Sequence, residues 1–308
     1  MKAIQYANYG GIEGMAMAET PTPIPADDEL LLRIHAAGVN PVDIAVSQGY
    51  LQEFRPLTFP VIAGCEMAGT VESAGHDALG FSRGDAVHAL TGISRAFAEF
   101  VAIKALDLVL KPKSMSFAEA AGLPIAAATT ISALDAGGVG PGTRLLIHAA
   151  AGGVGSVAVQ MAKARGAEVI ALASAANLAF VRSLGADQVI DRANPYEDEL
   201  RGLDVVLDAF GPASQARSWQ ALRKGGILLS LVTEPSQEEA AKHGVRAAMV
   251  YGNPTAAALK QADELVNSGK LKVHVSRTYP LSRATDALRE VAAGKVRGKL
   301  VLTVNDSG

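Results

Sequence analysis

The segment Ala149-Ala150-Ala151-Gly152-Gly153-Val154-Gly155 separates an apolar run, 145–150, from a stretch of helical character, 156–165. Glycines in such a turn let the backbone bend sharply and approach a pyrophosphate with no Cβ in the way. The following helix then aims its first N–H groups and its dipole at the anion. A glycine-rich turn can also be a tight strand–helix connection that holds nothing. The βαβ setting is what favours a dinucleotide here. Gly152, Gly153, Val154 and Gly155 are therefore the expected phosphate contacts.

A second position sets the choice of dinucleotide. About 20 residues past such a loop, an acidic side chain holds the adenosine ribose in NAD-binding proteins. Here that region reads Ala171-Leu172-Ala173-Ser174-Ala175-Ala176-Asn177, and no Asp or Glu occurs between Glu168 and Asp187. Nothing acidic repels a 2′-phosphate. Ser174 and Asn177 can donate hydrogen bonds to one, and Arg192, just after the third strand, can add positive charge. NADPH is the expected cofactor. A solvated loop charge is the plainer role for Arg192.

The elements that would hold these residues fall into two kinds. Residues 29–35, 69–73, 84–88 and 98–103 are short strand-like runs bounded by Gly, Pro and Asp, the punctuation of a tightly turning β domain. From Arg144 onward strands alternate with helices. Strand-like runs at 168–173, 188–191, 205–210, 227–232 and 246–251 imply a doubly wound parallel sheet. Between the two, Ser116-Phe117-Ala118-Glu119 has the form of a capping box. The tail, with strands at 272–281 and 298–304, is too short to fold alone and should return to the first domain.

Composition bounds the rest. The 308 residues are 49% hydrophobic and 19% charged, enough to bury a full core in one large or two ordinary domains. Basic and acidic residues, 28 and 31, are interspersed and give a net charge of −3, which argues against a nucleic-acid or anionic-membrane surface. The most apolar region, 120–134, is interrupted by Gly122, Pro124, Thr129 and Thr130, and the N-terminus lacks the apolar run of a signal peptide. The only cysteine, Cys65, excludes an internal disulfide and a cysteine-based metal cluster. A reducing cytoplasm is the expected compartment.

Several ordered motifs resemble the quinone-oxidoreductase branch of the medium-chain dehydrogenase/reductase superfamily. They are Val39-Asn40-Pro41-Val42-Asp43 with Gly49, Gly64-Cys65-Glu66-Met67-Ala68-Gly69, the glycine loop, Ala173 to Asn177, Ser183-Leu184-Gly185-Ala186-Asp187 and Gly298-Lys299-Leu300-Val301-Leu302. The resemblance covers essentially the whole chain. It implies an α/β protein in which a GroES-like β domain, 1–118 with 270–308, carries an inserted Rossmann domain, 119–269, with the active site in the cleft. It also implies a homodimer, joined near residues 246–251. By similarity, Thr129, Thr130, Gly152 to Gly155, Ser174, Asn177 and Arg192 would contact the cofactor, with Phe210, Gly211 and Tyr251. Asn40 would face the nicotinamide or the substrate carbonyl.

Zinc-dependent relatives place a Cys at the position of Asn40, a Gly-His-Glu where Gly64-Cys65-Glu66 stands, and a later Cys. A catalytic zinc needs three protein ligands, and these positions do not supply them, so no metal is expected. Cys65 reads as a small buried residue. Many relatives also follow Asp43 with Trp-Lys; here Ile44-Ala45 stands there, and a lysine contact to the cofactor is lost.

His35, His76, His88, His148, His243 and His274 are scattered and read as structural. Tyr50 and Tyr251 could line the substrate pocket or donate a proton. The function these readings support is hydride transfer from NADPH to a quinone or an α,β-unsaturated carbonyl without a metal. The acceptor oxygen would be polarised by backbone N–H groups, Asn40 or a tyrosine. The alternatives are a non-catalytic NADPH-binding protein, crystallin-like or regulatory, and a dedicated biosynthetic enoyl reductase.

Overall fold

Strands shaped by alternating apolar residues run through the first 110 residues. They are β1 (Lys2–Tyr6), β2 (Ala16–Glu19), β3 (Glu29–Val39), β4 (Val61–Ile62), β5 (Glu66–Ala74), β6 (Ala86–Leu90), β7 (Phe100–Lys104) and β8 (Val109–Leu110). This computed structural model describes residues 1–197, 199–253 and 255–304. In β3, Leu30, Leu32 and Ile34 are buried while Glu29, Leu31, Arg33 and His35 are only partly so, the two-residue period of a strand with one face on a core. Two helices belong with these strands, α1 (Pro41–Ser47) and α2 (Phe117–Ala121). The expected capping box starts α2: Glu119 N–H donates to Ser116 Oγ, and Ser116 N–H donates to Glu119 Oε2.

The βα alternation builds the second unit. Its elements are α3 (Pro124–Ala136), β9 (Arg144–Ile147), α4 (Gly153–Ala164), β10 (Glu168–Ala173), α5 (Leu178–Ser183), β11 (Gln188–Asp191), β12 (Leu203–Asp208), α6 (Pro212–Ser218), β13 (Leu222–Ser230), α7 (Gln237–His243) and β14 (Arg246–Met249), and α8 (Ala256–Asn267) follows. The strands pair in parallel in the order β11-β10-β9-β12-β13-β14. Leu145, Leu146 and Ile147 are all fully buried, as a strand covered on both faces requires. The order reverses direction between β9 and β12. Loops at the carboxyl ends of those two strands are where an open α/β sheet binds ligands.

The tail adds β15 (Val275–Pro280), α9 (Ala284–Ala292) and β16 (Lys299–Thr303) to the first unit. Its larger sheet runs β15-β16-β3-β5-β6-β8, with β7 also on β3. By contacts, one unit comprises Met1–Ile125, Pro254–Asp263 and Val273–Gly308, and the other Ala126–Asn253 and Glu264–Lys272. The first unit thus extends past residue 118 to include α2, because Ala120 and Ala121 of that helix are buried against β3 and β5. No helix among the described residues is long and apolar enough to cross a membrane.

Candidate functional site

The glycine loop departs from its sequence reading at both ends. The strand stops at Ile147 rather than 150, and α4 begins at Gly153 rather than 156, so the glycines form the helix's own first turn. Ala149 makes the bend with φ 49°, a left-handed conformation that costs an L-residue about 1–2 kcal/mol. A Cβ on Gly155 would sit 2.2 Å from the Ala149 carbonyl oxygen, so only glycine lets the helix pack this close to the turn. Gly152 caps α4 without a side-chain acceptor, which leaves the first-turn N–H groups to be satisfied from outside the helix. Such an uncapped turn suits a pyrophosphate.

The other nucleotide candidates lie on the same unit. Ser174 follows β10, and Asn177 Nδ2 donates to its Oγ at 3.2 Å. Arg192 N–H donates to Ala173 O, which sets the exposed Arg192 at the strand end beside Ser174. The Arg192 guanidinium lies 5.3 Å from the centre of the Phe210 ring. Asp191 is at this end too, and its Oδ1 accepts from Ala193 N–H. Gly211, with φ 98°, leads into α6. Thr130 is fully buried, and its Oγ1 has no hydrogen-bond partner among the described residues. A buried hydroxyl without a partner is costly, but one with no exposed surface is closed to a bound molecule. Thr129 is half-buried beside it. Tyr251 is 71% exposed, two residues beyond the end of β14 at Met249. A nicotinamide dinucleotide fits these residues.

In the first unit the register of three strands gathers a buried polar cluster. Leu300 of β16 pairs with Val39 of β3, which sets Lys299 opposite Asn40. Ala37 pairs with Met67 of β5, and continuing that register sets Gly38 opposite Glu66. A Cβ on Gly38 would sit 2.1 Å from Glu66 Oε1, so glycine makes room for the carboxylate. Asn40 Nδ2 donates to Glu66 Oε1 at 2.8 Å, Lys299 Nζ donates to the same oxygen at 2.7 Å and also to Asn40 Oδ1, and Ile125 N–H donates to Glu66 Oε2 at 2.8 Å. Lys299 is 5% exposed and Glu66 fully buried. These bonds hold the Asn40 amide in one orientation. Its second amide hydrogen has only long contacts, to Gly38 O at 3.4 Å and Cys65 Sγ at 3.9 Å.

Asp43 completes the cluster. Its Oδ2 accepts from Asn40 N–H at 2.8 Å, while its buried Oδ1 has no hydrogen-bond partner among the described residues. Burial pushes the Asp43 carboxyl up from 3.8 to about 7. The Cys65 thiol, the Asn40 N–H and Lys299 oppose that rise, and the charge of Glu66 adds to it. Burial likewise pushes the Cys65 thiol well above its ordinary value, with Asp43 and Glu66 adding to the effect. A thiol held protonated is a poor nucleophile. An ammonium bonded into this donor set also opposes a dication. The residues do not fit zinc.

Glu66 and Lys299 are not among the site residues expected from the sequence. Both stand in the motifs quoted for the resemblance, but strand register, not spacing, brings 40, 66 and 299 together. Tyr50, a candidate proton donor, is 73% exposed in the turn after α1, whereas the cluster is buried.

Two family models match the chain, the alcohol dehydrogenase GroES-like domain over residues 26–113 and the zinc-binding dehydrogenase model over residues 184–302. The chain is 34% identical to a chloroplastic quinone-oxidoreductase homolog of Spinacia oleracea, with 98% of each covered. It is also 34% identical to an NADPH-dependent alkenal/one oxidoreductase of Arabidopsis thaliana, covering 98% of this chain and 79% of that one. The structure of Escherichia coli quinone oxidoreductase complexed with NADPH superposes with a TM-score of 0.88 at 26% identity, covering 99% of this chain and all of that one. With a GroES-like β unit and a Rossmann unit, the chain belongs to the zinc-free quinone-oxidoreductase branch of the medium-chain dehydrogenase/reductase superfamily, a family of NAD(P)H-dependent oxidoreductases.

Proposed function

We propose that the protein reduces a quinone or an α,β-unsaturated carbonyl with NADPH and without a metal. The observation that carries this reading is the buried Asn40–Glu66–Lys299 cluster, a fixed ammonium and an amide with a nearly unspent hydrogen, built around the residue that by resemblance stands at a ligand position of zinc-dependent relatives. Bound NADPH would supply the hydride. Oxidising an alcohol requires loss of the hydroxyl proton first, which zinc makes easy by stabilising an alkoxide. Conjugate reduction asks less, because the acceptor spreads the incoming charge onto oxygen, where neutral and cationic donors can stabilise it. Asn40 and Lys299 are those donors, and Asp43, with a carboxyl near 7, is a proton store next to them. The Spinacia and Arabidopsis relatives and the NADPH complex of the Escherichia coli enzyme support the acceptor class and the cofactor.

The choice of NADPH over NADH rests on Ser174, Asn177 and Arg192 at the ends of β10 and β11 with no acidic residue in the ribose position. The edge strand β14, half-buried and with one side of its ladder unpaired among the described residues, supports a homodimer through residues 246–249. The single, inert cysteine supports a reducing compartment such as the cytoplasm. Steady-state turnover with a panel of quinones and enones, each with NADPH and NADH, tests the reading, alongside elemental analysis and chelator treatment. Reduction of at least one acceptor class, faster with NADPH and indifferent to chelators, is expected. NADP-dependent oxidation of simple alcohols with no turnover of quinones or enones would overturn it.

A further inference from the structure

A second buried polar array lies beneath the nucleotide loops. His148 is the residue before Ala149, and its ring is buried. Its Nδ1 lies 3.1 Å from Asp208 Oδ1, and its Nε2 lies 3.2 Å from Ser218 Oγ and 3.5 Å from the Tyr196 hydroxyl. Asp208, the last residue of β12, also accepts from Phe210 N–H at 3.2 Å, Gly211 N–H at 3.0 Å, Gln215 Nε2 at 3.1 Å and Ser214 Oγ. Burial alone would raise the Asp208 carboxyl, but bonds from His148, Ser214 and Gln215 hold it below the usual carboxylate range. It is therefore an acceptor, and His148 Nδ1–H is a donor to it.

Ser218, His148 and Asp208 stand in the order of a hydrolytic triad, yet they do not form one. Ser218 is fully buried, and its hydroxyl donates to Ser214 O at 2.8 Å, so no substrate carbonyl can reach it. The array serves the backbone instead. His148 N–H donates to Leu207 O at 2.9 Å, which together with the ring bond grips the residue from both ends. The next residue is the left-handed Ala149, whose carbonyl accepts from Gly152 N–H at 2.8 Å and lies under Gly155. Through the same carboxylate, Phe210 and Gly211 are tied to this turn.

We propose that the bond from His148 Nδ1–H to Asp208 is a clamp that holds Ala149 in its left-handed conformation and thereby shapes the phosphate loop, which makes His148 and Asp208 positioning residues for the dinucleotide. This rests on the reading that the Rossmann unit binds NADPH. Breaking the clamp frees the turn to relax, and the loop must then be re-formed at the expense of nucleotide affinity.

Asparagine and glutamine separate the two sides of the ring. In His148→Asn the amide nitrogen can take the place of Nδ1 and keep the bond to Asp208. In His148→Gln the amide reaches the place of Nε2, toward Ser218 and Tyr196, and loses it. NADPH is titrated into each protein by fluorescence, with kcat at saturating NADPH and the thermal midpoint measured in parallel. We expect the Kd of the Asn variant to stay within about threefold of the unaltered protein, and that of the Gln variant to rise about tenfold or more with kcat little changed, as the loss of one charge-assisted buried bond implies. Equal Kd values in all three proteins, or loss in the Asn variant matching that in the Gln variant, would overturn the clamp. So would a fall in thermal midpoint with no change in Kd. Should the Gln variant not fold, Asp208→Asn is titrated in its place, with the same expected rise in Kd. Absence of NADPH binding by the unaltered protein would instead overturn the nucleotide reading, and the clamp with it.

Discussion

Asp43 in the β unit and Asp208 in the Rossmann unit are both buried aspartates at the centre of a polar cluster, and their carboxyls are pushed in opposite directions. Asp208 is surrounded by donors from His148, two backbone N–H groups, Ser214 and Gln215, and stays ionised. Asp43 has one backbone donor at Oδ2, a weak thiol donor in Cys65 and the Glu66 carboxylate nearby, and rises to about 7. Burial is common to both; the number of donors decides the outcome. A cluster whose valences are all filled has nothing left to offer a ligand and acts as scaffold. One with an unspent amide hydrogen and a carboxyl short of donors keeps capacity for chemistry, at a cost in stability.

The sharpest way to break that contrast is to remove the cation from the unfilled cluster. Lys299→Met leaves Glu66 buried with its charge uncompensated, and stability should fall by about 3–5 kcal/mol in urea unfolding. Adding Glu66→Gln removes the stranded charge and should restore most of that loss. Activity with a quinone or enone should not return, because the donor to the acceptor oxygen is still missing. If the double variant recovers kcat/KM along with stability, the cluster is scaffold like the other one.

Asp43 offers a test with a definite sign. Its carboxyl binds a proton more tightly in the folded protein, about 7, than at its ordinary 3.8. The stability it contributes is therefore complete below about pH 4 and is lost as the pH rises through 7, by roughly 4 kcal/mol at most. Asp43→Asn is neutral throughout. The stability of the unaltered protein relative to this variant should decline from about pH 4 to about pH 7 and level off above that. Asp208, held below the usual range, contributes in the opposite sense and loses its share only in acid. A flat difference for the Asp43 variant would mean that the carboxyl is not raised.

The Rossmann unit was legible because its signals are local. The glycine turn, the missing ribose acid and the alternation of strands and helices each lie within one stretch of chain. The capping box at Ser116 was legible for the same reason. The limits of these local signals show at Ala149, where a strand-like apolar residue adopts φ 49° because the fold clamps it there. The Asn40 cluster was only half legible. Asn40 stood out as a substitution for a metal ligand, but Glu66 and Lys299 join it through antiparallel pairing of β3 with β5 and β16, a contact spanning 259 residues for Lys299. No periodicity in a single sequence encodes that register. His148 carries no local signal beyond a structural histidine, and its partner Asp208 lies 60 residues on.

The nucleotide side of the contrast can be sharpened at Ser174. Aspartate there would stand at the strand end beside Arg192, where an NADPH 2′-phosphate would lie in this reading. Ser174→Asp should weaken NADPH more than NADH by roughly 1–3 kcal/mol, through loss of a charge-assisted contact and repulsion of the phosphate. Kd values for both nucleotides, measured at one ionic strength, check this. Equal affinity for NADPH and NADH in the unaltered protein would remove the basis for the prediction.

The smallest effect is expected at Tyr50, and it bears on where a proton can come from. A general acid contributes when it is held at the reacting oxygen and shielded from water, so that its proton moves along a fixed path. Tyr50, 73% exposed in a turn, is solvated and free to rotate, whereas Asp43 is buried, beside the Asn40 amide, with a carboxyl near 7. Tyr50→Phe removes only the hydroxyl and should change both stability and kcat/KM by no more than about twofold, the range of an ordinary surface substitution. A loss of a hundredfold in kcat with KM unchanged would return Tyr50 to the role of proton donor. The buried cluster would then be left to polarise the acceptor without supplying the proton.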